Sequence, residues 1–352
     1  MPVPPRAPLL LAVAAAGLGA AACGDAPPDV LARGPYLTEV TETTARLRWI
    51  ARDGARIEIE AVGPDGARVV AGDGELTGLS PGTRYEWTAR AGGDAVAEGA
   101  VTTAPQDLTE PLEFLVFGDY GAPNDTSAQV AALAEAQRPR LLVTTGDNGY
   151  LVTLPELLDQ NIFGPLRAVL AQAPNYGVVG DHDVFFPAGQ AALVEALDWP
   201  GDGERYDRDY GPVQIVGLGL NADPGDVAFA RRALARPGPR ARFVVLHQPI
   251  REGSPMLPVI AAADVTAVLE GHLHAYERRE RPEAPGVPFL TVGTGGAPRS
   301  DRTPTSADAR VHIAEFGLMR VRLQGDRAAF EFVDVTGRVR DRIETRNPAG
   351  GG

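Results

Sequence analysis

The feature that most constrains the fold is an alternation of short apolar strands and helices that begins near residue 112. The predicted strands cover 112–117, 141–144, 176–179, 213–220, 242–246 and 265–269. Strands that are apolar throughout and separated by helices are typical of a layered α/β fold, in which both faces of a sheet are covered. Ligands of such folds bind at the carboxyl ends of the strands. The residues that follow each strand are therefore the candidate functional residues.

Four helices are predicted between these strands. The first starts at a capping box in the segment Thr126-Ser127-Ala128-Gln129 and continues to about Gln137. The other three cover 155–171, 188–197 and 226–235.

Each of five predicted strand ends carries side chains that could bind a metal ion. The segments are Gly118-Asp119-Tyr120-Gly121, Gly146-Asp147-Asn148-Gly149-Tyr150, Gly180-Asp181-His182-Asp183, Val244-Val245-Leu246-His247 and Gly271-His272-Leu273-His274. Each segment alone has an ordinary explanation, because Gly-Asp is a common turn and a histidine after a strand is often a structural residue. In extended backbone, however, His272 and His274 point to the same side. All five segments together predict a metal site, whereas His312, the remaining histidine, is assigned a structural role.

The order of these segments resembles that of the calcineurin-like metallophosphoesterases. Tyr150 and the segment Ala275-Tyr276-Glu277-Arg278 are similar to the purple acid phosphatase branch of that family, and the resemblance extends over residues 34–341. It implies a four-layer α/β sandwich and two metal ions. One ion would be bound by Asp119, Asp147, Tyr150 and His274, and the other by Asp147, Asp181, His247 and His272. Asp147 would bridge the two ions.

The same resemblance implies an activity, the hydrolysis of phosphate monoesters or diesters by a metal-activated hydroxide that attacks phosphorus. His182 would assist the leaving group, and Asp183 would orient His182. Imidazole and carboxylate ligands suit iron, zinc and manganese, and a phenolate suits ferric iron. The expected pair is Fe(III) with Fe(II), Zn(II) or Mn(II). The candidate substrate contacts are Asn148, Arg251, Tyr276 and Arg278. For the last three, a structural salt bridge or hydrogen bond is an alternative of at least equal weight.

Two departures from the family pattern concern catalysis. Asp181 stands where the family has asparagine, and the loop 248–256 has none of the additional histidines common in purple acid phosphatases. The additional negative charge should raise the pKa of metal-bound water, and so predicts a higher pH optimum and a slower enzyme. The alternative function is a surface binding protein with a structural, weakly catalytic metal site. The presence of His182 favours the enzyme.

The charge of the chain argues against a role in nonspecific nucleic-acid binding. The net charge is -13, all 33 basic residues are arginine, and the arginines form no basic cluster. Phosphate backbones are bound by clustered cations. The expected partner is a phosphorylated small molecule.

The N-terminus predicts export. Arg6 precedes an apolar run over 9–22 that is too short for a comfortable membrane span and is typical of a signal peptide. The segment Ala20-Ala21-Ala22-Cys23 resembles a bacterial lipobox, so residues 1–23 are assigned as signal peptide and lipobox and 24–33 as a tether. The prediction is a lipoprotein of the cell envelope, in the periplasm, at the outer membrane or at the cell surface. Its membrane contact would be only a lipid on Cys23; a secreted soluble protein is the alternative.

A small all-β sandwich is predicted for residues 34–104. Tyr85, Trp87 and Ala89 alternate with polar residues, as in a strand with one buried face. The segment Leu79-Ser80-Pro81-Gly82-Thr83-Arg84-Tyr85 resembles a corner of fibronectin type III domains. The predicted role is structural or that of a cleft wall, with carbohydrate or cell-wall binding as the alternative. Residues 105–111 are the predicted linker, 112–345 the catalytic domain and 346–352 a disordered tail.

Overall fold

The chain forms an all-β unit followed by an α/β unit, which confirms the predicted fold class. The computed structural model describes residues 30–150, 153–201, 203–298, 303–304 and 307–347. The predicted signal peptide, the lipobox, residues 24–29 of the tether and residues 348–352 of the tail lie outside these ranges. Within the described residues, no helix is long and apolar enough to cross a membrane.

The all-β unit consists of seven strands in two antiparallel sheets. The strands are β1 (Leu31–Val40), β2 (Thr44–Ala51), β3 (Ile57–Val62), β4 (Arg68–Ala71), β5 (Glu75–Thr77), β6 (Arg84–Ala91) and β7 (Asp94–Thr102). One sheet has the order β1-β2-β5 and the other β4-β3-β6-β7. In β6 the side chains of Tyr85, Trp87 and Ala89 are buried, as their alternation predicts. β1 starts at Leu31, so the last residues assigned to the tether are part of a strand.

In the α/β unit, the described residues form twelve strands and five α-helices. The strands are β8 (Leu112–Phe117), β9 (Leu142–Thr144), β10 (Tyr206–Tyr210), β11 (Val213–Gly217), β12 (Ala241–Val245), β13 (Ala267–Glu270), β14 (Tyr276–Glu280), β15 (Pro288–Val292), β16 (Ala309–Ile313), β17 (Gly317–Gln324), β18 (Arg327–Asp334) and β19 (Val339–Arg346). The helices are α1 (Asp125–Gln137), α2 (Arg167–Leu170), α3 (Pro187–Leu197), α4 (Pro224–Leu234) and α5 (Leu257–Ala261). One sheet has the order β10-β11-β12-β13-β15-β14-β16 and the other β19-β18-β17-β8-β9.

The two sheets of this unit pack face to face between helices. Phe243 of β12 contacts Phe114 of β8 and Phe330 of β18, with ring centroids 5.3 and 6.5 Å apart. The neighbouring residue Val244 belongs to a second apolar cluster, with Leu234 of α4 and residues of α5. Because α1 packs against β17 of the other sheet, the order of layers is helix, sheet, sheet, helix.

The predicted helix over 155–171 is wrong as a continuous element. The chain forms a 3₁₀ turn (Pro155–Leu157), a π-helical turn (Asp159–Phe163) and then only the short α2. Gly164 and Pro165 lie at the break; proline has no N–H to donate to the preceding turn and disfavours helical backbone at the residue before it. The leucine spacing is that of a buried helix, but Gly164 and Pro165 interrupt the helix.

Two further expectations need correction. α1 is capped by Asn124, whose side chain accepts hydrogen bonds from the backbone of Thr126 and Ser127, so the helix starts before the predicted capping box. Residues 176–179 are extended but form no strand of a sheet. The Tyr176 and Val178 N–H groups donate to the carbonyls of β9 at 2.9 and 3.0 Å, and this pairing holds the segment beside β9.

The all-β unit packs against the α/β unit through polar contacts. Trp87 donates its indole N–H to the carbonyl of Ala171 at 3.1 Å, and the Tyr36 hydroxyl donates to the carbonyl of Ala196 at 2.8 Å. Arg33 forms an ion pair with Asp159, with 2.6 Å between Nε and Oδ1. These contacts hold the two units in one arrangement.

Candidate metal centre

The predicted strand ends meet at one edge of the α/β unit. β8 and β9 are parallel neighbours in one sheet, and β12 and β13 are parallel neighbours in the other, so the loops after them leave at the same edge. The approach is tight at Gly180, where an added Cβ would lie 2.1 Å from the backbone nitrogen of Asp147. Only glycine can bring the 180–183 turn so close to the loop after β9.

Three candidate ligands lie where the backbone is left-handed. The φ angles are 58° at Asp119, 52° at Asp147 and 69° at His272. This conformation costs a non-glycine residue about 1 to 2 kcal/mol, and hydrogen bonds across the site stabilise it. The His272 N–H donates to Asp119 Oδ2, and the His182 N–H donates to Asp147 Oδ1, both at 3.0 Å. The sharp backbone turns direct these side chains towards one another.

Asp119, Tyr150 and His274 form one half of the site. The Tyr150 hydroxyl lies 3.1 Å from Asp119 Oδ1 and 2.9 Å from His274 Nε2. His274 Nδ1 is 2.7 Å from the carbonyl of Pro298. Because a carbonyl only accepts, Nδ1 carries the proton, and the Nε2 lone pair faces the site.

Asp181, His247 and His272 form the other half. Asp181 Oδ1 lies 2.8 Å from His247 Nε2 and 3.0 Å from His272 Nδ1. His247 is buried, and its Nδ1 is 2.8 Å from the carbonyl of Thr145, so its Nε2 is directed into the site. Asp147 Oδ1 lies 3.4 Å from the same Nε2 and connects the two halves.

The protonation of the site reflects its excess of buried negative charge. The pKa of Asp147 is raised to about 6, because burial and the charges of Asp119, Asp183 and Asp181 raise it more than the charge of His247 lowers it. Burial lowers the pKa of His247, but the hydrogen bond to Asp181 and the charges of Asp147 and Asp119 outweigh it and raise the pKa to about 10. Hydrogen bonds from His247 and His272 lower the pKa of Asp181. Without metal, a proton on His247 compensates part of the charge.

This donor set fits two metal ions. The ligand atoms of Asp181, His247 and His272 lie within 4.8 Å of one another, and so do those of Asp119, Asp147 and His247. His247 is common to both groups, whereas the sequence predicts Asp147 as the shared residue. Carboxylate oxygen, imidazole nitrogen and phenol oxygen are the ligands expected for iron, zinc or manganese. All seven predicted ligands lie in this cluster.

His182 lies at the rim of the cluster. Its side chain is about one-third exposed, with Nε2 4.0 Å from Asp147 Oδ2. Its ring centroid is 4.4 Å from that of Tyr150. This position allows an imidazole to reach both the site and an entering ligand.

Asp183 does not orient His182 as predicted. Its carboxylate is fully buried and accepts five hydrogen bonds, at 2.7 to 3.0 Å, from the backbone N–H groups of Asn148, Gly149 and Gly180, the Asn148 amide and the Thr153 hydroxyl. Both carboxylate oxygens are therefore committed to the loop that carries Asp147 and Tyr150. Asp183 positions that loop against the 180–183 turn.

Three of the candidate substrate contacts have structural partners. The Asn148 amide is buried and donates to the carbonyl of Val178 and to Asp183. Tyr276 and Arg278 both donate to Asp341 at 2.8 Å, and the ring of Tyr276 stacks on Phe332. These three assignments are corrected. His312 lies in β16, where Nδ1 contacts Glu277 at 2.9 Å.

The fourth candidate, Arg251, lies beside the site. It lines an open groove of about 860 Å³ that also includes His272. The sequence analysis missed Glu270, which is fully buried at the end of β13 and accepts a hydrogen bond from the Ile250 N–H at 2.8 Å. A carboxylate at the end of an apolar run, directly before Gly271 and His272, was the available indication.

The sequence matches no protein-family profile, and no curated protein matches it. Solved structures do match. A purple acid phosphatase from yellow lupin (Lupinus luteus) seeds, PPD1, has a TM-score of 0.73 at 15% identity over 89% of this chain and 74% of its own. PhoD has a TM-score of 0.67 at 10% identity over 89% of this chain and 90% of its own.

The chain shares its fold with these two proteins. A third match is GAP50 of Plasmodium, described as the anchor in the inner membrane complex, with a TM-score of 0.55 at 15% identity over 67% of this chain and 89% of its own. At these identities the similarity concerns the fold. Assigning a function requires the arrangement of residues at the metal centre.

Proposed function

We propose that this protein is a dinuclear metal-dependent hydrolase of phosphate esters, of the purple acid phosphatase type. The observation that carries the proposal is the convergence of Asp119, Asp147, Tyr150, Asp181, His247, His272 and His274 on one edge of a phosphoesterase fold. Three aspartates and a tyrosine in one partly buried site need cationic partners. His182 at the rim, which a purely structural metal site would not require, supports catalysis.

When bound, two cations would neutralise the ester oxygens and lower the pKa of water at the site. We propose a ferric ion beside Tyr150, with Fe(II), Zn(II) or Mn(II) as the second ion. The chain itself orients the donors: the carbonyls of Thr145 and Pro298 hold the protons of His247 and His274 on Nδ1. His182 would donate a proton to the leaving alkoxide, or stabilise its charge.

The test is purified protein reconstituted with iron plus zinc or manganese, assayed on an aryl phosphate and on its diester. We expect two metal ions per chain, hydrolysis of at least one ester, and a visible absorption band from Tyr150 bound to Fe(III). Asp147→Asn should lose both metal and activity. Full metal occupancy with hydrolysis of neither ester would rule out the hydrolase.

A binding protein with a structural, weakly catalytic metal site is the second candidate. GAP50, one of the structural neighbours, is described as an anchor, so this fold occurs in a protein with that role. The substitution Asp181, which adds negative charge where the family has asparagine, also favours weak catalysis. The metal-occupancy and hydrolysis experiment separates the two candidates.

We further propose that the chain is exported and carries a lipid on Cys23, since a charged residue, an apolar run and a lipobox-like segment precede this sole cysteine. Mass spectrometry of the mature N-terminus would test the export proposal: a diacylglyceryl cysteine is expected, and an unmodified N-terminus at another residue would contradict it.

We also propose a fibronectin type III-like domain after the tether. The arrangement of β1–β7, in sheets of three and four strands, supports it.

A further inference from the structure

The loop after β12 is held at one residue, Ile250, from both sides. The Ile250 N–H donates to Glu270 Oε1 at 2.8 Å, and the Ile250 carbonyl accepts a hydrogen bond from Arg281 at 2.6 Å. Glu270 is fully buried at the end of β13, and Arg281 is buried just after β14. We name Glu270, Arg281 and the backbone of Ile250 the loop clamp.

Other side chains contact both charged residues of the loop clamp. Glu270 also accepts hydrogen bonds from Arg279 and, at 3.2 Å, from Thr291. Arg281 forms an ion pair with Asp308, at 3.0 Å between Nη1 and Oδ2. Burying such charges is costly unless each has a partner. Together with the two hydrogen bonds to Ile250, these contacts fix where the chain emerges after Ile250.

The residue that emerges there is Arg251, on the wall of the groove that contains His272. Four arginines are among the described residues that line the groove, and three of them pair with carboxylates: Arg279 with Glu270, Arg281 with Asp308 and Arg310 with Glu280. Among the described residues, Arg251 has no carboxylate partner. The exposed Glu252 and Glu283 line the same groove. An arginine without a carboxylate partner, in a groove that also contains His272, retains its donors for a ligand.

We infer that the loop clamp positions Arg251 to bind the phosphoryl oxygens of a ligand at the metal centre, so that Glu270 and Arg281 are positioning residues for phosphate recognition. The inference rests on the proposed function for the metal ions beside Arg251. Guanidinium donors suit phosphate oxygens because they can form two parallel hydrogen bonds. Fixing the backbone of Ile250 in advance reduces the entropy lost when Arg251 is ordered on binding.

The test uses inorganic phosphate as the probe and the metal-loaded full chain, with the dissociation constant measured by calorimetry. Arg251→Gln should weaken phosphate binding about tenfold, the order expected for losing one charge-assisted hydrogen bond. Glu252→Gln is the matched control on the next residue and should not weaken it. Phosphate binding by Arg251→Gln equal to that of the unmodified protein would overturn the inference.

The positioning role is tested through Arg281. Arg281→Met removes the donor to the Ile250 carbonyl and should weaken phosphate binding nearly as much as Arg251→Gln, while the double variant should bind no worse than Arg251→Gln alone. Arg281→Lys should restore binding. Should Arg281→Met not fold, Arg281→Gln, which is too short to reach Ile250, carries the same expectation. Additive losses in the double variant would assign Arg281 a merely structural role.

The same variants separate this inference from the proposed function. If the unmodified protein hydrolyses esters, Arg251→Gln should raise KM and leave kcat nearly unchanged, because a contact made equally in ground and transition states affects binding alone. A protein that binds phosphate through Arg251 but hydrolyses no ester would contradict the proposed function and support the inference. An active protein in which these variants leave KM unchanged would support the proposed function and contradict the inference.

Discussion

Replacing Asp183 by asparagine should destabilise the protein by roughly 3 kcal/mol. The carboxylate accepts five hydrogen bonds: Oδ1 from the Gly149 N–H and the Thr153 hydroxyl, and Oδ2 from the N–H groups of Asn148 and Gly180 and from the Asn148 amide. An asparagine loses least by placing its NH₂ group at the Oδ1 position. The Thr153 hydroxyl can rotate and accept, but the Gly149 N–H then faces another donor.

The magnitude follows from those contacts. A buried donor left without an acceptor costs about 1 to 3 kcal/mol. The three bonds to the remaining oxygen also weaken, because hydrogen bonds to a charged acceptor are roughly twice as strong as those between neutral groups. Together these effects give about 2 to 4 kcal/mol, a large part of the stability of an ordinary domain.

The assay is urea denaturation at neutral pH of Asp183→Asn, of the unmodified protein and of a control, Asp326→Asn. Asp326 is half-exposed and lies 3.5 Å from Arg346, so its substitution should cost less than about 1 kcal/mol. The loop held by Asp183 carries Asp147 and Tyr150, so the variant should also bind metal more weakly. Equal urea midpoints for Asp183→Asn and the unmodified protein would refute the argument from hydrogen bonds.

Three further predictions concern the metal centre. Asp181→Asn should raise turnover and lower the acidic pKa of the pH-rate profile, since it removes one negative charge beside the ions; an unchanged profile would contradict the expected effect of this substitution. His182→Ala should lower kcat about 10²- to 10⁴-fold for alkyl esters and less for nitrophenyl esters, because nitrophenolate leaves without needing a proton; equal losses for both would argue against leaving-group assistance. The pKa of His247 is raised to about 10 from its ordinary value of 6.5, so at pH 7 the metal-free side chain is protonated and metal must displace that proton. Metal affinity should therefore rise with pH towards 10, and calorimetry in two buffers at pH 7 should detect proton release, whose absence would show that His247 is already neutral.

The sequence predicted the class of the fold and the location of the site because both depend on short-range patterns. Apolar runs specify the strands, and the rule that ligands bind at the carboxyl ends of strands placed Asp119, Asp147, His247 and His272 at one edge. For residues 155–171 the spacing of apolar residues alone is not enough to predict the structure. The leucines are spaced as in a helix, but Gly164 and Pro165 interrupt it.

The roles of the remaining residues could not be predicted because they depend on partners distant in the chain. Asp183 and Asn148 are hydrogen-bonded across 35 positions, and Arg278 and Asp341 across 63. Neither pair of residues belongs to a repeating pattern that could be recognised in the sequence. Glu270 was missed for the same reason, since its partners Ile250 and Arg279 follow from how neighbouring strands align.

The left-handed backbone at Asp119, Asp147 and His272 has a consequence for how this chain can vary. Glycine would relieve the conformational cost at each of the three positions, whereas valine, isoleucine or threonine would increase it. Replacement by glycine would thus remove local strain together with the donor atom. A search for thermostable variants of the metal-free protein would tend to discard the groups on which the chemistry depends, so such a search should be run with metal present.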